Sequence, residues 1–410
     1  MNRWWWLRCV FVIALAAILI GAEFWLRHVR SIHGDSKGNE PAVLWAYESP
    51  EAGGIISSPC LSENRIFVGA IRNSGLSPRG EVIALDREAG KVVWRFDEGG
   101  EMLHMYSSPR VDGERLFIGE GMHANFQCKL YSLDIHTGQK VWSFPVGGHI
   151  ESTPCLTGDC VIFGAGDAGL YAIDKNNGKP RWHFDKSLHI DSTAAVVGRR
   201  VYAGSGVSRR FRETAVFCLD ASTGSEIWRT PVDLPAWGSP LADEQHVFIG
   251  LANGRLDQSA ETPAGALVCL DAASGKLLWR CPMTDGVMSR PARVGENVCV
   301  TCRDGYCYLL DQSDGRIIWR RDLGSAIVTN PVFLDGKVFV AASGGLVACL
   351  DATSGEIEWK FDVAAYARSE VHLFSTPAVT ADESGKHSLY FGAELVTPAG
   401  RVPMLYAIRH

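Results

Sequence analysis

One pattern, an aliphatic residue and Asp, then Gly four positions on and Trp four further, constrains this chain more than any other feature. It occurs as LDREAGKVVW ending at Trp94, LDIHTGQKVW at Trp142, IDKNNGKPRW at Trp182, LDASTGSEIW at Trp228, LDAASGKLLW at Trp279, LDQSDGRIIW at Trp319 and LDATSGEIEW at Trp359. The aliphatic-Asp pair closes one strand, Gly takes a left-handed turn position at no steric cost, and Trp lies in the next strand, so each copy is a hairpin. Successive copies, counted from Trp45, lie 40 to 51 residues apart, the period of a four-stranded propeller blade.

A second signal counts the blades. A small-polar-Pro step opens each repeat at Pro59, Pro109, Pro154, Pro240, Pro291, Pro331 and Pro377, with Ala194 at the same place in the fourth, which makes eight repeats. The eighth stops at LYAIRH with no Trp hairpin after it. Its missing strand is at the other end of the chain, where VLWAYES around Trp45 copies VVWRFDE around Trp94. The N-terminal strand is therefore expected to complete the last blade and close the ring, removing exposed sheet edges. The fold class follows: all-β, an eight-bladed propeller of four-stranded antiparallel blades. Eight of the thirteen Trp residues (Trp45, Trp94, Trp142, Trp182, Trp228, Trp279, Trp319, Trp359) occupy the repeat position and read as interblade packing. Four more lie near the N-terminus, which leaves Trp237.

A net charge of -6 offers no basic footprint for nucleic acid. Before the propeller, Arg3, Trp4-Trp5-Trp6 and Arg8 precede an uncharged run from Cys9 to Ala22, with Trp25 beyond it. From Trp4 to Leu26 the segment is long enough to span a bilayer as one hydrophobic helix with Trp at both flanks. It reads as an uncleaved signal anchor, with a cleaved signal peptide as the other reading, and both export the propeller to the periplasm or another extracytoplasmic space. The domains are thus a signal anchor or signal peptide over 1–30, a linker over 31–40 and the propeller over 41–410.

The Asp-x-x-x-Gly-x-x-x-Trp hairpin, the Ser-x-Pro step and strands such as VIFGAGDAGLYAID resemble the pyrroloquinoline-quinone-type propeller repeat. That resemblance covers residues 41–410 and implies either of two functions. One is a scaffold that binds a protein partner, similar to the propeller subunit of the outer-membrane β-barrel assembly machinery, with no cofactor. The other is a quinone-dependent oxidoreductase with the quinone and calcium at the channel mouth. Quinoprotein dehydrogenases often carry a vicinal Cys-Cys pair against the quinone, and no Cys-Cys dipeptide occurs in this chain. The expected function is therefore a membrane-anchored, exported scaffold, with the oxidoreductase as the alternative.

Topology places the site. The connections between blades and the loops between second and third strands emerge on one face, and that face carries the extra length. Its loops are AIRNSGLSPRG in blade 1, EGMHANFQCK in blade 2, GVSRRFRETA in blade 4, ANGRLDQSAETPAGA in blade 5 and AELVTPAGRVP in blade 8. Long loops on a rigid scaffold are where binding resides. On this face Trp237, Arg210 and Phe211 are candidate partner contacts. Five residues before the Pro position stand His104, His149, His189 and His372, and two further on stand Glu151 and Asp191. Residues at i and i+2 of an extended segment point the same way, so His149/Glu151 and His189/Asp191 should project together. Imidazole and carboxylate suit zinc or another divalent metal, which makes His149 and His189 candidate ligands, against a plainer role of wetting the channel rim.

Cys218, Cys269 and Cys349 read as small buried strand residues. The pairs Cys155/Cys160 and Cys302/Cys307 share one spacing. If Thr157-Gly158 and Asp304-Gly305 form the turns, each pair lies directly across a hairpin, where a disulfide is expected to be geometrically open to it, the other reading being two reduced pairs.

Overall fold

The structure, a computed structural model, describes residues 40–49, 52–72, 78–123, 125–256, 258–398 and 400–410. The expected N-terminal helix and anchor, and the linker up to residue 39, lie outside these residues. Among those described, no helix is long and apolar enough to cross a membrane.

Eight antiparallel sheets follow one another along the chain, and the first strands of neighbouring blades meet around the axis. The strand Ala42–Glu48 pairs with the C-terminal strand Gly400–Arg409, with Trp45 opposite Ala407, so the ring closes as expected. Apolar clusters lie between blades rather than within them. Phe67, Val82, Ala84 and Trp94 of blade 1, for example, pack with Leu116, Ile118, Tyr131 and Leu133 of blade 2.

The geometry explains why the motif residues recur. The hairpin glycines, Gly90 to Gly355, sit at φ between +65° and +74°. A Cβ on any of them would also land 2.5 to 2.9 Å from the Trp ring of the preceding blade. Glycine is thus required twice, by the left-handed turn and by the indole laid on it. The same Trp donates its Nε1–H to the carbonyl of the residue after Asp in the next blade, as Trp94 does to Ile135 (2.9 Å) and Trp279 to Gln312 (2.8 Å). The Asp carboxylate caps the turn: Asp134 accepts from the N–H groups of His136 and Thr137 and from the Thr137 hydroxyl.

The Ser-x-Pro step has two functions. Its first hydroxyl bonds within the blade, as Ser152 Oγ does with both N–H and C=O of Gly164. The next residue reaches sideways: Thr153 N donates to Thr193 Oγ1 (2.9 Å), and Thr376 N of blade 8 donates to Ser58 Oγ of blade 1 (3.0 Å). A polar inner seam therefore closes the ring alongside the outer Trp seam.

Two local expectations need correction. The blade 8 segment AELVTPAGRVP is a long hairpin rather than an irregular loop: His387–Thr397 pairs with Gly400–Arg409 to the end, and Glu370–His372 adds a further strand. Its β-branched and aliphatic residues sustain the ladder past the blade. In blade 1, Ala70–Arg72 pairs with Arg79–Glu81 in the same way. A one-turn helix, Val363–Ala367, also follows blade 7, because Asp362 caps it through the Ala365 N–H.

The cysteine registers differ too. Cys160 faces Thr157 and Cys155 faces Ile162, because the turn is Gly158-Asp159 rather than Thr157-Gly158. Cys307 faces Thr301 rather than Cys302. Neither expected pair is directly cross-strand, and every described cysteine is a free thiol. Cys218, Cys269 and Cys349 are buried strand residues, as read.

Candidate functional site

On the long-loop face, blades 2, 3 and 4 bring three imidazoles onto one carboxylate. His189 and Asp191 belong to the connection entering blade 4, which is pinned by the bridge of His189 to Gly206. His189 Nε2 lies 2.7 Å from Asp191 Oδ2, and His149 Nε2, from the connection entering blade 3, lies 3.0 Å from Asp191 Oδ1. His123, from the blade 2 loop, completes the group with Nε2 3.3 Å from Asp191 Oδ2. The ligand atoms of these four residues all lie within 4.8 Å of one another.

An outer layer orients the rings. His189 Nδ1 is 2.7 Å from Asp167 Oδ1, and His123 Nδ1 is 2.7 Å from Glu151 Oε1, which also accepts the His123 backbone N–H at 2.9 Å. Trp237 walls one side, its ring edge-on to His189 at 5.7 Å and tilted to His123 at 6.4 Å. The Trp237 indole nitrogen is buried and has no hydrogen-bond partner among the described residues. His149 and His189 are buried, whereas His123 is half exposed and forms the open side.

These contacts set the charges. The bond to Glu151, opposed by burial and aided by Asp191 and Asp167, lifts the His123 imidazole to about 9. Burial pulls His189 down, but Asp191 and Asp167 more than reverse it, so it stands above the ordinary imidazole value. Burial would raise the Asp191 carboxyl; the bonds from His149 and His189 instead hold it far below the usual carboxylate range.

Of the residues expected from sequence, the fold unites His149, His189, Glu151, Asp191 and Trp237. The i, i+2 pairing holds for His189/Asp191, but His149 reaches across to Asp191 and Glu151 serves His123. His104 stands apart, its Nδ1 3.0 Å from Met122 Sδ, with its imidazole lowered by burial and by Arg79. His372 contacts Glu370 and Phe374 in blade 8 instead. Arg210 and Phe211 sit on the blade 4 loop, where Ser208 Oγ accepts both their N–H groups and the guanidinium lies 4.9 Å from the ring centre. Sequence reasoning missed His123 and Asp167. Both lie between second and third strands, His123 in EGMHANFQCK and Asp167 in the short GDAG turn, so comparing the polar residues of every such loop would have found them.

The class this architecture defines is the eight-bladed propeller of four-stranded blades with Trp-hairpin repeats. The chain belongs to the family whose model is described as outer membrane protein assembly factor BamB, matched over residues 37–123, 79–209, 190–258 and 263–402. Its fold is similar to that of BamB from Moraxella catarrhalis (TM-score 0.63, 16% identity, 89% of this chain and 99% of that one). It is also similar to quinohemoprotein alcohol dehydrogenase from Comamonas testosteroni (TM-score 0.65, 12% identity, 90% and 76%). A stretch of 76 residues is 36% identical to a polyvinylalcohol dehydrogenase from a Pseudomonas species, spanning 16% of this chain and 12% of that enzyme.

The calcium expected with the quinone under the oxidoreductase alternative does not fit the His cluster. Calcium takes six to eight oxygen ligands, whereas this cluster offers three imidazoles and one inner carboxylate.

Proposed function

We propose that the protein is an exported scaffold, tethered to the membrane by its N-terminal apolar segment, that binds a protein partner through the long-loop face. The observation that carries this reading is the asymmetry of the ring. One face repeats the same tight Asp-Gly turns, and the other raises the irregular loops of blades 2, 4 and 5 and the extended hairpins of blades 1 and 8. That face carries interface chemistry: Arg209, Arg210 and Arg212 are exposed around Phe211, and Phe126 on the blade 2 loop is 69% exposed. Arginine and large aromatics anchor protein interfaces, so the partner would present carboxylates beside apolar side chains. Membership of a family described as an assembly factor supports the same reading.

Crosslinking the full chain to a co-purifying protein tests it. Crosslinks are expected on the blade 2, 4 and 5 loops, and Arg210→Glu, Phe211→Ala and Trp237→Ala are expected to weaken the association without loss of fold. Crosslinks confined to Lys140, Lys179 or Lys276 would put the interface on the opposite face and overturn it. Membrane fractionation checks the tether, which predicts that the full chain sediments with membranes.

The oxidoreductase alternative rests on the segment similar to polyvinylalcohol dehydrogenase and on the unpartnered Trp237 indole at the mouth. A quinone absorbance band retained by the purified protein after incubation with quinone and calcium would favour it.

A further inference from the structure

We infer that His123, His149, His189 and Asp191 bind one divalent transition-metal ion of the zinc class, and that the ion staples the blade 2 loop to blades 3 and 4. The site lies on the long-loop face, and its ligands come from three successive blades.

Convergence is the first argument. Zinc bonds to imidazole nitrogen at about 2.0–2.1 Å, so the donor atoms of a tetrahedral site stand roughly 3.3 Å apart. The three Nε2 atoms already lie 2.7, 3.0 and 3.3 Å from the nearer oxygen of Asp191. Small adjustments of the rings would turn these contacts into four bonds to a shared ion. His123, on an exposed loop, is the ligand freest to make them.

The outer carboxylates are the second. Metal-bound imidazoles characteristically give their other nitrogen's proton to a carboxylate, which fixes the tautomer and turns the remaining lone pair inward. Asp167 occupies that position on His189 and Glu151 on His123, each at 2.7 Å from Nδ1.

Third, the backbone is shaped around the buried ring. A Cβ at Gly166 would lie 2.4 Å from His149 Cε1, and one at Gly121 would lie 3.0 Å from His149 Cβ. Both glycines have positive φ, +55° and +103°, so they bring main chain against His149 where other residues would be strained and would displace the imidazole.

The donor set selects the metal. Three imidazoles with one carboxylate are poor ligands for calcium or magnesium and good ones for zinc, cobalt, nickel or copper. Four protein ligands make a closed tetrahedral shell, the form of a structural rather than a catalytic zinc site.

Metal analysis of the full-length chain, purified without chelator, is expected to find one equivalent of zinc-class metal. After stripping, titration with cobalt(II) alone should give the intense visible bands of tetrahedral coordination, saturating at one equivalent, and zinc(II) should abolish them. His149→Ala and Asp191→Asn should lose the bands, and His104→Ala, on the same face but outside the cluster, should keep them. Because the first two alter buried residues, the half-exposed His123→Ala and the outer Glu151→Gln guard against misfolding. Glu151→Gln should weaken cobalt affinity about ten- to a hundredfold, as loss of an outer-layer partner does, with an unchanged circular dichroism spectrum. Protein that carries no transition metal as purified and gives no tetrahedral cobalt spectrum would overturn the inference. So would equal loss in His104→Ala and His149→Ala.

Discussion

Trp45 donates its indole N–H to the carbonyl of Arg87 at 3.0 Å, joining a strand from the start of the chain, paired into the last blade, to the first hairpin of blade 1. The Trp45 ring also covers Gly90 of that hairpin. The same relation repeats blade by blade, and here it performs the closure. At the preceding junction Trp359 meets no such hairpin, because blade 8 borrows its outer strand, and its ring stacks on His410 at 5.2 Å instead.

Trp45→Ala should therefore destabilise the full chain by about 3–5 kcal/mol, the cost of deleting a buried Trp. Trp45→Phe should cost less, retaining most of the apolar body and losing a hydrogen bond worth about 1 kcal/mol. Urea unfolding midpoints check both. An unchanged midpoint for Trp45→Ala would mean that the inner polar seam closes the ring unaided.

Two glycines separate the two reasons for glycine in this fold. Gly295 has φ +60° and no neighbouring atom within 4 Å of where a Cβ would lie, whereas Gly275 has φ +74° and the Trp228 ring 2.5 Å from that position. Gly295→Ala should cost about 1–2 kcal/mol for the left-handed backbone alone. Gly275→Ala should cost about 1–3 kcal/mol more through overpacking against the indole. Equal losses in parallel thermal melts would remove the Trp contact from the explanation.

Ring, blade count and closure were legible because scaffold residues repeat: Asp, Gly and Trp each satisfy the same constraint at every junction. The Trp residues were read as interblade packing, but the glycine beneath the ring was not, since a sequence repeat does not say which residue of the next blade the indole covers. The site was half legible. His149 and His189 share one repeat position, Glu151 and Asp191 another, and both could be aligned, but His123 and Asp167 lie between second and third strands, where loop length varies and no register carries over.

Arg303 anchors the blade 5 loop from blade 6. Its guanidinium is buried and bonds Asp285 Oδ1 through Nε (3.0 Å) and Nη2 (2.8 Å), and it also donates to the carbonyls of Asn253 and Arg255. Burial would raise the Asp285 carboxyl; Arg303, with Ser259 and the Gly286 N–H, more than reverses this and holds it below the ordinary value. A depressed folded value means that this stabilisation is complete above the unfolded carboxylate pKa of about 3.9 and is lost as pH falls through the lower folded value. Asp285→Asn, which leaves Arg303 buried without its counter-ion, should destabilise by about 3–5 kcal/mol at neutral pH. It should also flatten the acid limb of the stability profile below pH about 4. A variant with the parent's acid limb would show that other carboxylates set it.

The thiol arrangement gives the last prediction. Cys155 and Cys160 are offset in register, as are Cys302 and Cys307. Among the described residues Cys299 and Cys307 instead bring their Sγ atoms to 3.5 Å of each other, in the buried core between blades 6 and 7. Burial raises the Cys299 thiol well above its ordinary value, and its neighbour Cys307 adds to the rise, so little reactive thiolate forms at Cys299. Native alkylation should therefore spare Cys299, and burial should shield Cys307, whereas alkylation after denaturation without reductant should label Cys155, Cys160 and Cys302 as free thiols. Peptide mapping that finds Cys155 linked to Cys160, or Cys302 to Cys307, would contradict the strand registers on which the blade 3 and blade 6 hairpins are built.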